Sequence, residues 1–351
     1  MAVHTIAHVG CGGRGRDHIR ALATVRPALR LVGLCDQVPE RLAEGRALAG
    51  GDVATYADAE RMLAEERPDV FSFCTPPAIR RPLIELGVRH GVKAIVCEKP
   101  MALSLGEARS LVELTDRAGV RLIVCHQHKY GGHWRAVKAL VDVGELGAVT
   151  TIHATSKGWM AHYATHLIDY ALWLAGDRAP VWVVGHAHGR DTFDRSHPSP
   201  EYLMGQVEVE GGVRLFVECG PRAPDQPPFA NPEVGSWPFW MDAGATVVGT
   251  SGVARVVVGH GWSAVTARGG AIGDDAVRFN GSADTAALYL ELADCLANPS
   301  LRHACRAELA LRGYQAMAAM CVSAVERRPV ALPLGGEDDA AADAAMHAVV
   351  S

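Results

Sequence analysis

A lysine follows an apolar run and a glutamate at Cys97-Glu98-Lys99-Pro100. Partial burial lowers an amine's pKa, so Lys99 could orient or deprotonate a hydroxyl; a surface lysine with a solvated head explains it too. His162 and His166 are four residues apart, which on a helix puts both imidazoles on one face. Each can be tuned to give or take a proton near neutral pH. Tyr163 adds a phenol beside them, and packing at a helix start accounts for it equally. The region holds further histidines at 126, 128, 133 and 153. An i,i+4 imidazole pair also suits a metal. No carboxylate or cysteine completes a ligand set, so no metal is expected.

A second constellation lies near the start. Gly10-Cys11-Gly12-Gly13-Arg14-Gly15 follows one apolar run and opens a helical pattern through His18, Leu22 and Val25. Glycines there permit a tight turn and close approach of a pyrophosphate, which a helix N-terminus stabilises. Asp36 ends the next apolar run, about 20 residues on, where a carboxylate accepts from adenosine ribose hydroxyls. Gln37 follows it rather than an arginine, and a carboxylate repels a 2′-phosphate, so NAD is expected over NADP. Thr75-Pro76-Pro77 closes another run with a turn that must leave the sheet near the dinucleotide. The expected cofactor-facing set is Gly10, Gly12, Gly13, Arg14, Gly15, Asp36, Thr75, Pro76, Glu98, Lys99 and His128.

The elements needed to hold these residues are visible as pattern. Apolar runs at 6–10, 30–35, 70–74, 94–97 and 121–125 alternate with amphipathic stretches such as 58–66, 82–90 and 104–118. Runs apolar on both faces suit a parallel sheet covered by helices, a doubly wound α/β domain of the Rossmann type. Ser104 with Glu107 reads as a capping box. Beyond residue 126 the pattern changes. Helices are expected at 133–143, 163–174, 284–296 and 302–326, with hairpins turning at Gly211-Gly212 and Ser251-Gly252. That is an α+β domain with an open, mainly antiparallel sheet, giving a division of 1–126 and 127–351. Lys129, Tyr130, Lys157 and Trp159 follow segments expected to border the substrate. With His128 and His162 they form the expected substrate-binding set. The stretch 220–241, with Phe229, Trp237, Phe239 and Trp240, suggests a lid or subunit contact. The acidic, alanine-rich end is expected to fray or dock weakly.

Composition bounds the rest. With 351 residues the chain suits two domains. A net charge of −5 offers no basic field for nucleic acid or an anionic membrane, and no apolar run approaches the roughly 20 residues of a bilayer span. The nine cysteines form no CxxC pair, and five of them, Cys11, Cys35, Cys74, Cys97 and Cys125, close successive apolar runs. They read as packing residues, and the cytoplasm is the expected compartment.

Taken together, the glycine loop, Thr75-Pro76-Pro77, Glu98-Lys99-Pro100, Gly144-Glu145-Leu146-Gly147 and Thr165-His166-Leu167-Ile168-Asp169 with Trp173 resemble the glucose–fructose oxidoreductase and inositol dehydrogenase (Gfo/Idh/MocA) family. Gly249-Thr250-Ser251-Gly252 and Arg328-Pro329-Val330 extend the resemblance over nearly the whole chain. The resemblance implies hydride transfer from a secondary alcohol carbon to a nicotinamide, and a sheet that mediates homodimers or homotetramers. It maps the family's lysine onto Lys99 and its histidine onto His166. Where the family carries an aspartate four residues earlier, this chain has His162, and Ala164 replaces a glycine. The expected catalytic set is Lys99, His166, His162 and Tyr163. The expected activity is oxidation of a secondary hydroxyl of a sugar, sugar acid or cyclitol. Relatives that run a redox-neutral glycosidase cycle on NAD define the alternative, and the crowd of imidazoles raises it. A non-catalytic NAD(H) sensor would need neither Lys99 nor His166.

Overall fold

The computed structural model describes residues 3–51, 53–194, 197–225, 242–272 and 281–348. Its internal contacts divide the chain into two compact units. One comprises Met1–Ala102, Glu107–Tyr130 and Asn280–Glu308; the other comprises Leu103–Gly106, Gly131–Phe279 and Leu309–Ser351.

The first unit alternates strand and helix: β1 (His4–Val9), α1 (Gly13–Thr24), β2 (Leu29–Cys35), α2 (Pro39–Ala49), β3 (Ala54–Tyr56), α3 (Ala59–Glu66), β4 (Val70–Phe73), α4 (Arg80–Arg89), β5 (Ala94–Cys97), α5 (Leu105–Ala118) and β6 (Arg121–Val124). All pairs are parallel, in the order β3-β2-β1-β4-β5-β6. Both β4 and β5 are buried at every position, so they read as continuous apolar runs rather than alternation. This is the doubly wound order in which ligands bind beyond the carboxyl ends of the strands.

The second unit opens with α6 (Gly132–Asp142), β7 (Val149–Ser156) and α7 (Thr165–Leu174), followed by β8 (Pro180–His188), β9 (Asp191–Asp194), β10 (His197–Ser199), β11 (Tyr202–Val209), β12 (Val213–Cys219), β13 (Ala243–Gly249), β14 (Val253–Val257), β15 (Gly261–Thr266) and β16 (Gly269–Ile272). Helix α8 (Gly281–Ala297) returns to the first unit, where Leu288, Tyr289 and Leu292 join Ile19, Leu22, Val70 and Val96 in one core. Helix α9 (Ala307–Glu326), β17 (Val330–Ala331) and α10 (Asp339–Met346) complete the chain.

The second sheet has nine strands in the order β16-β15-β14-β13-β7-β12-β11-β8-β17. Every pairing is antiparallel except β7 with β12. Both expected hairpins form: Gly211 and Gly212 turn β11 into β12 at φ 82° and 76°, and Gly249 N donates to Gly252 O at 2.8 Å between β13 and β14. Glycines fit the first turn because both positions are left-handed. Gly185 and Gly205 let the sheet lie directly against Met320 of α9, where a Cβ would collide.

Two expectations change. Helix α9 starts at Ala307, because Arg306 bridges to Ile123 at the edge of the first sheet. The acidic C-terminal stretch is docked rather than frayed: Ala342 and Met346 are fully buried, and the Asp343 carboxylate accepts from Leu105 N at 2.5 Å, at the start of α5. Small alanines give α10 an apolar face, and its acid caps another helix. Most of the proline- and aromatic-rich stretch, including Phe229, Trp237, Phe239 and Trp240, lies outside the described residues.

Candidate active site

The glycine loop joins β1 to α1. Gly10 has φ 93° and packs so closely that a Cβ would overlap Cys74 O, while a Cβ at Gly15 would overlap Gly10 O. Around Gly12 and Gly13, by contrast, a Cβ would meet nothing within 4 Å. Gly12 is the N-cap of α1 and supplies no side-chain cap, so the helix N-terminus is left for an anion. Asp36, at the end of β2, accepts from Cys11 N at 2.7 Å and from Val38 N at 2.9 Å. Each carboxylate oxygen has a second lone pair, which suits ribose hydroxyls. The Thr75 hydroxyl is buried with no hydrogen-bond partner, and its carbonyl accepts from Arg80 at 2.9 Å. Pro76, next to it, is exposed. Open space above two glycines, an uncapped helix and an orphaned hydroxyl together fit a dinucleotide.

Beneath the loop lies a buried ion pair. Arg14 Nε donates to Glu98 Oε1 at 2.6 Å, and Arg14 Nη2 donates to Thr285 Oγ1 at 3.0 Å. His18 Nε2 donates to the same Glu98 oxygen at 3.1 Å. Burial alone would raise the Glu98 pKa, but Arg14 and His18 outweigh it and hold the carboxyl well below its usual range. Lys99 follows directly. Burial lowers its pKa, Glu98 opposes that, and Arg80 and Arg14 reinforce it, so the net shift is downward. A lysine poised this way is more readily neutral than one in water.

His128, Lys129 and Tyr130 form a short turn after β6, and all three are buried. His128 Nδ1 lies 3.7 Å from Asp284 Oδ2; burial lowers its pKa and Asp284 opposes the shift. Lys129 Nζ donates to Ala304 O at 3.1 Å, and the Tyr130 hydroxyl bonds Glu291. Both of these bonds are made to the chain's own α8–α9 segment.

In the second unit, β7 ends at Ser156 and the chain turns through Lys157, Gly158 and Trp159 into a π-helical turn, Met160–Ala164, that leads into α7. Gly158 is needed because a Cβ would press on Tyr163 Cβ at 2.8 Å and on its ring at 3.0 Å. The π turn sets His162 outward and Tyr163 inward. Such single turns recur at functional sites. His166 Nδ1 and the Tyr170 hydroxyl are 2.6 Å apart, and the Tyr163 and His166 rings lie at 5.1 Å. The Tyr163 hydroxyl is buried with no partner, and burial pushes its pKa up, so it stays a neutral phenol. Trp159 is 36 % exposed and meets His162 edge-on at 5.9 Å, and Lys157 pairs with Asp225.

Sequence pattern missed the residues that support the first-unit cluster from afar. Asp284, Thr285 and Tyr289 sit on α8, more than 150 residues beyond β6, with no local signal of a role. His8, inside β1, looked like one residue of an apolar run. Among the described residues, His18, Cys74 and Glu98 are the group whose ligand atoms lie within 4.8 Å of one another. Arg14 already neutralises that carboxylate, so the group reads as an ion-paired network. None of the nine cysteines is in a disulfide.

Residues 4–126 match the model of an oxidoreductase family, GFO_IDH_MocA, described as an NAD-binding Rossmann fold. An inositol 2-dehydrogenase of Burkholderia vietnamiensis is 27% identical over 264 residues, 72% of this chain and 73% of that protein. A D-apiose dehydrogenase of Paraburkholderia graminis is 41% identical over 105 residues, 30% of this chain and 27% of its own. The fold is shared with an oxidoreductase from Agrobacterium radiobacter solved with NAD+, L-tartaric acid and magnesium, at a TM-score of 0.78, 19% identity, and coverage of 94% of this chain and 98% of that one. The glycine loop, the strand-end carboxylate and this match agree: residues 4–126 form an NAD-binding Rossmann domain similar to that of the GFO_IDH_MocA oxidoreductases.

Proposed function

We propose that this enzyme oxidises a secondary hydroxyl of a sugar, sugar acid or cyclitol, with Lys99 and His166 handling the hydroxyl proton. The observation that carries the reading is Lys99 itself, a desolvated amine with a lowered pKa beside a fully compensated Glu98–Arg14 pair. NAD, when bound, supplies the hydride acceptor. The Tyr170 hydroxyl, 2.6 Å from His166 Nδ1, fixes the orientation of the imidazole. Trp159 and His162 offer an exposed aromatic edge against which a sugar ring can lie. The names of the relatives, inositol 2-dehydrogenase and D-apiose dehydrogenase, support a polyhydroxylated substrate.

One observation favours a second reading. Tyr163 places an unpartnered phenol 5.1 Å, ring to ring, from His166. A redox-neutral glycosidase needs such an additional proton donor beside the ring it oxidises and later reduces again. A panel of free sugars, cyclitols and aryl glycosides, followed together for NADH and released aglycone, separates the two. Stoichiometric NADH with a free polyol supports the dehydrogenase. Aglycone release without net NADH would replace it with the glycosidase.

We also propose that a second copy of the chain covers the open face of the nine-stranded sheet. Phe216, His153, Thr246 and Arg255 are cross-strand neighbours in one row, and the Phe216 and His153 rings stack at 5.0 Å. Val181, Met204 and Val265 are 41%, 40% and 66% exposed on the same sheet.

A further inference from the structure

We propose that His8 is a positioning residue of the cofactor loop, holding the Gly10–Cys11 peptide in the orientation that NAD binding requires. His8 lies in the middle of β1, between Ala7 and Val9, and is completely buried. An apolar side chain would fill such a position at no electrostatic cost, whereas an imidazole must have both ring nitrogens satisfied. Both are. Nε2 lies 3.1 Å from Gly10 O, and Nδ1 lies 2.7 Å from Ser72 Oγ on β4. A carbonyl can only accept, so Nε2 carries the hydrogen and Nδ1 accepts from the Ser72 hydroxyl. One neutral tautomer is therefore selected, and burial agrees by driving the His8 pKa down to about 3.

The peptide thus pinned is held at both ends. Its carbonyl, Gly10 O, takes the His8 hydrogen, and its N–H, on Cys11, donates to Asp36 Oδ2 at 2.7 Å. Gly10 is at φ 93°, a conformation with little steric preference of its own for a glycine, so the plane of this peptide depends on those two bonds. Without the imidazole, Gly10 O would be a half-buried acceptor that has lost its partner, and rotating the peptide to find another would pull Cys11 N off Asp36. Gly15, packed against the same carbonyl, would shift with it.

The imidazole is itself braced. Its ring stacks on His18 at 5.7 Å and 18°, and the Tyr289 hydroxyl meets His18 Nδ1 at 2.7 Å. His18 Nε2 then donates to Glu98, the residue before Lys99. The stacked His8 and His18 rings and the His18–Glu98 bond therefore tie the loop to the strand end that carries the amine.

The test is titration of NADH and of ADP-ribose, which has the pyrophosphate but no nicotinamide, into the full-length protein and its variants, with circular dichroism as the check on folding. For His8→Leu we expect both ligands to weaken about tenfold together. His8→Gln, whose carboxamide can donate to Gly10 O, should restore affinity to within about threefold, a rescue that a volume-filling role would not produce. Should His8→Leu fail to fold, Ser72→Ala carries the test, with a loss of about threefold expected from an unbraced ring. Unchanged affinity in a folded His8→Leu or Ser72→Ala protein, or no rescue by His8→Gln, overturns the proposal. If the unsubstituted protein itself binds neither ligand, the NAD assignment fails instead.

Discussion

At the scale of single residues, the reading turns on Lys99. Its amine is the base only when neutral, and its lowered pKa means the neutral fraction grows as pH rises through a value below the ordinary lysine range. Oxidation rates should therefore climb with pH and level off earlier than a solvated lysine would allow. Lys99→Ala should cost on the order of 10²–10⁴ in turnover and leave NADH affinity within a few-fold. Turnover unchanged by that substitution would remove Lys99 from the chemistry. Lys99 and His166 stand out in the sequence because each lies in a short local pattern, Glu98-Lys99-Pro100 and Thr165–Asp169. Arg14 was legible only as a loop residue. That its guanidinium turns down onto Glu98, 84 positions away, follows from packing and not from any neighbour in sequence.

At the scale of elements, β1 and α1 meet through two stacked, buried imidazoles. Facing them are Ser72 on β4, Glu98 after β5, Tyr289 on α8 and Arg14 on α1. Both His8 and His18 have pKa values lowered by burial, His8 to about 3. The sign follows from proton counting. Below pH 6.5 the unfolded chain binds a proton at His8 that the folded unit refuses until about pH 3. Stability is then present above the unfolded value and lost as pH falls, by about 1.4 kcal/mol per pH unit across that window. Glu98, with its pKa held well down, acts in the same direction below the ordinary carboxylate range. Denaturant unfolding between pH 7 and pH 4 should show the loss, and His8→Leu should flatten it; a wild-type profile flat over that interval contradicts the burial of neutral rings. Element type was largely readable: the parallel strands through their continuous apolar runs, and both hairpins through their glycines. Boundaries were readable only where local chemistry set them. The start of α9 was set by a bridge to β6, and the docking of α10 by a cap on α5, each remote in sequence.

At the scale of the whole molecule, the open sheet face is where self-association is expected. Phe216→Asp together with Val265→Asp should convert an oligomer to a monomer in sedimentation without altering NADH affinity, because both residues belong to the second unit's sheet and the glycine loop to the first unit. A wild-type protein that sediments as a monomer would remove the proposed interface. No described helix is long and apolar enough to cross a membrane.

By itself the sequence determined the local pattern: a glycine turn between a strand and a helix, an acid at the end of the next strand, a lysine at a strand end, and a pair of histidines one helical turn apart. Such features depend on residues within a few positions of one another, whose geometry the backbone dictates. Only the tertiary structure decided what supports them. Helix α8 closes the first unit and delivers Thr285 and Tyr289 to the Arg14–His18 cluster. The π turn buries Tyr163 while exposing His162, and a histidine inside an apolar strand proves to hold the loop's carbonyl. These contacts join positions tens to hundreds of residues apart, and burial, which sets their protonation, exists only once the chain has folded.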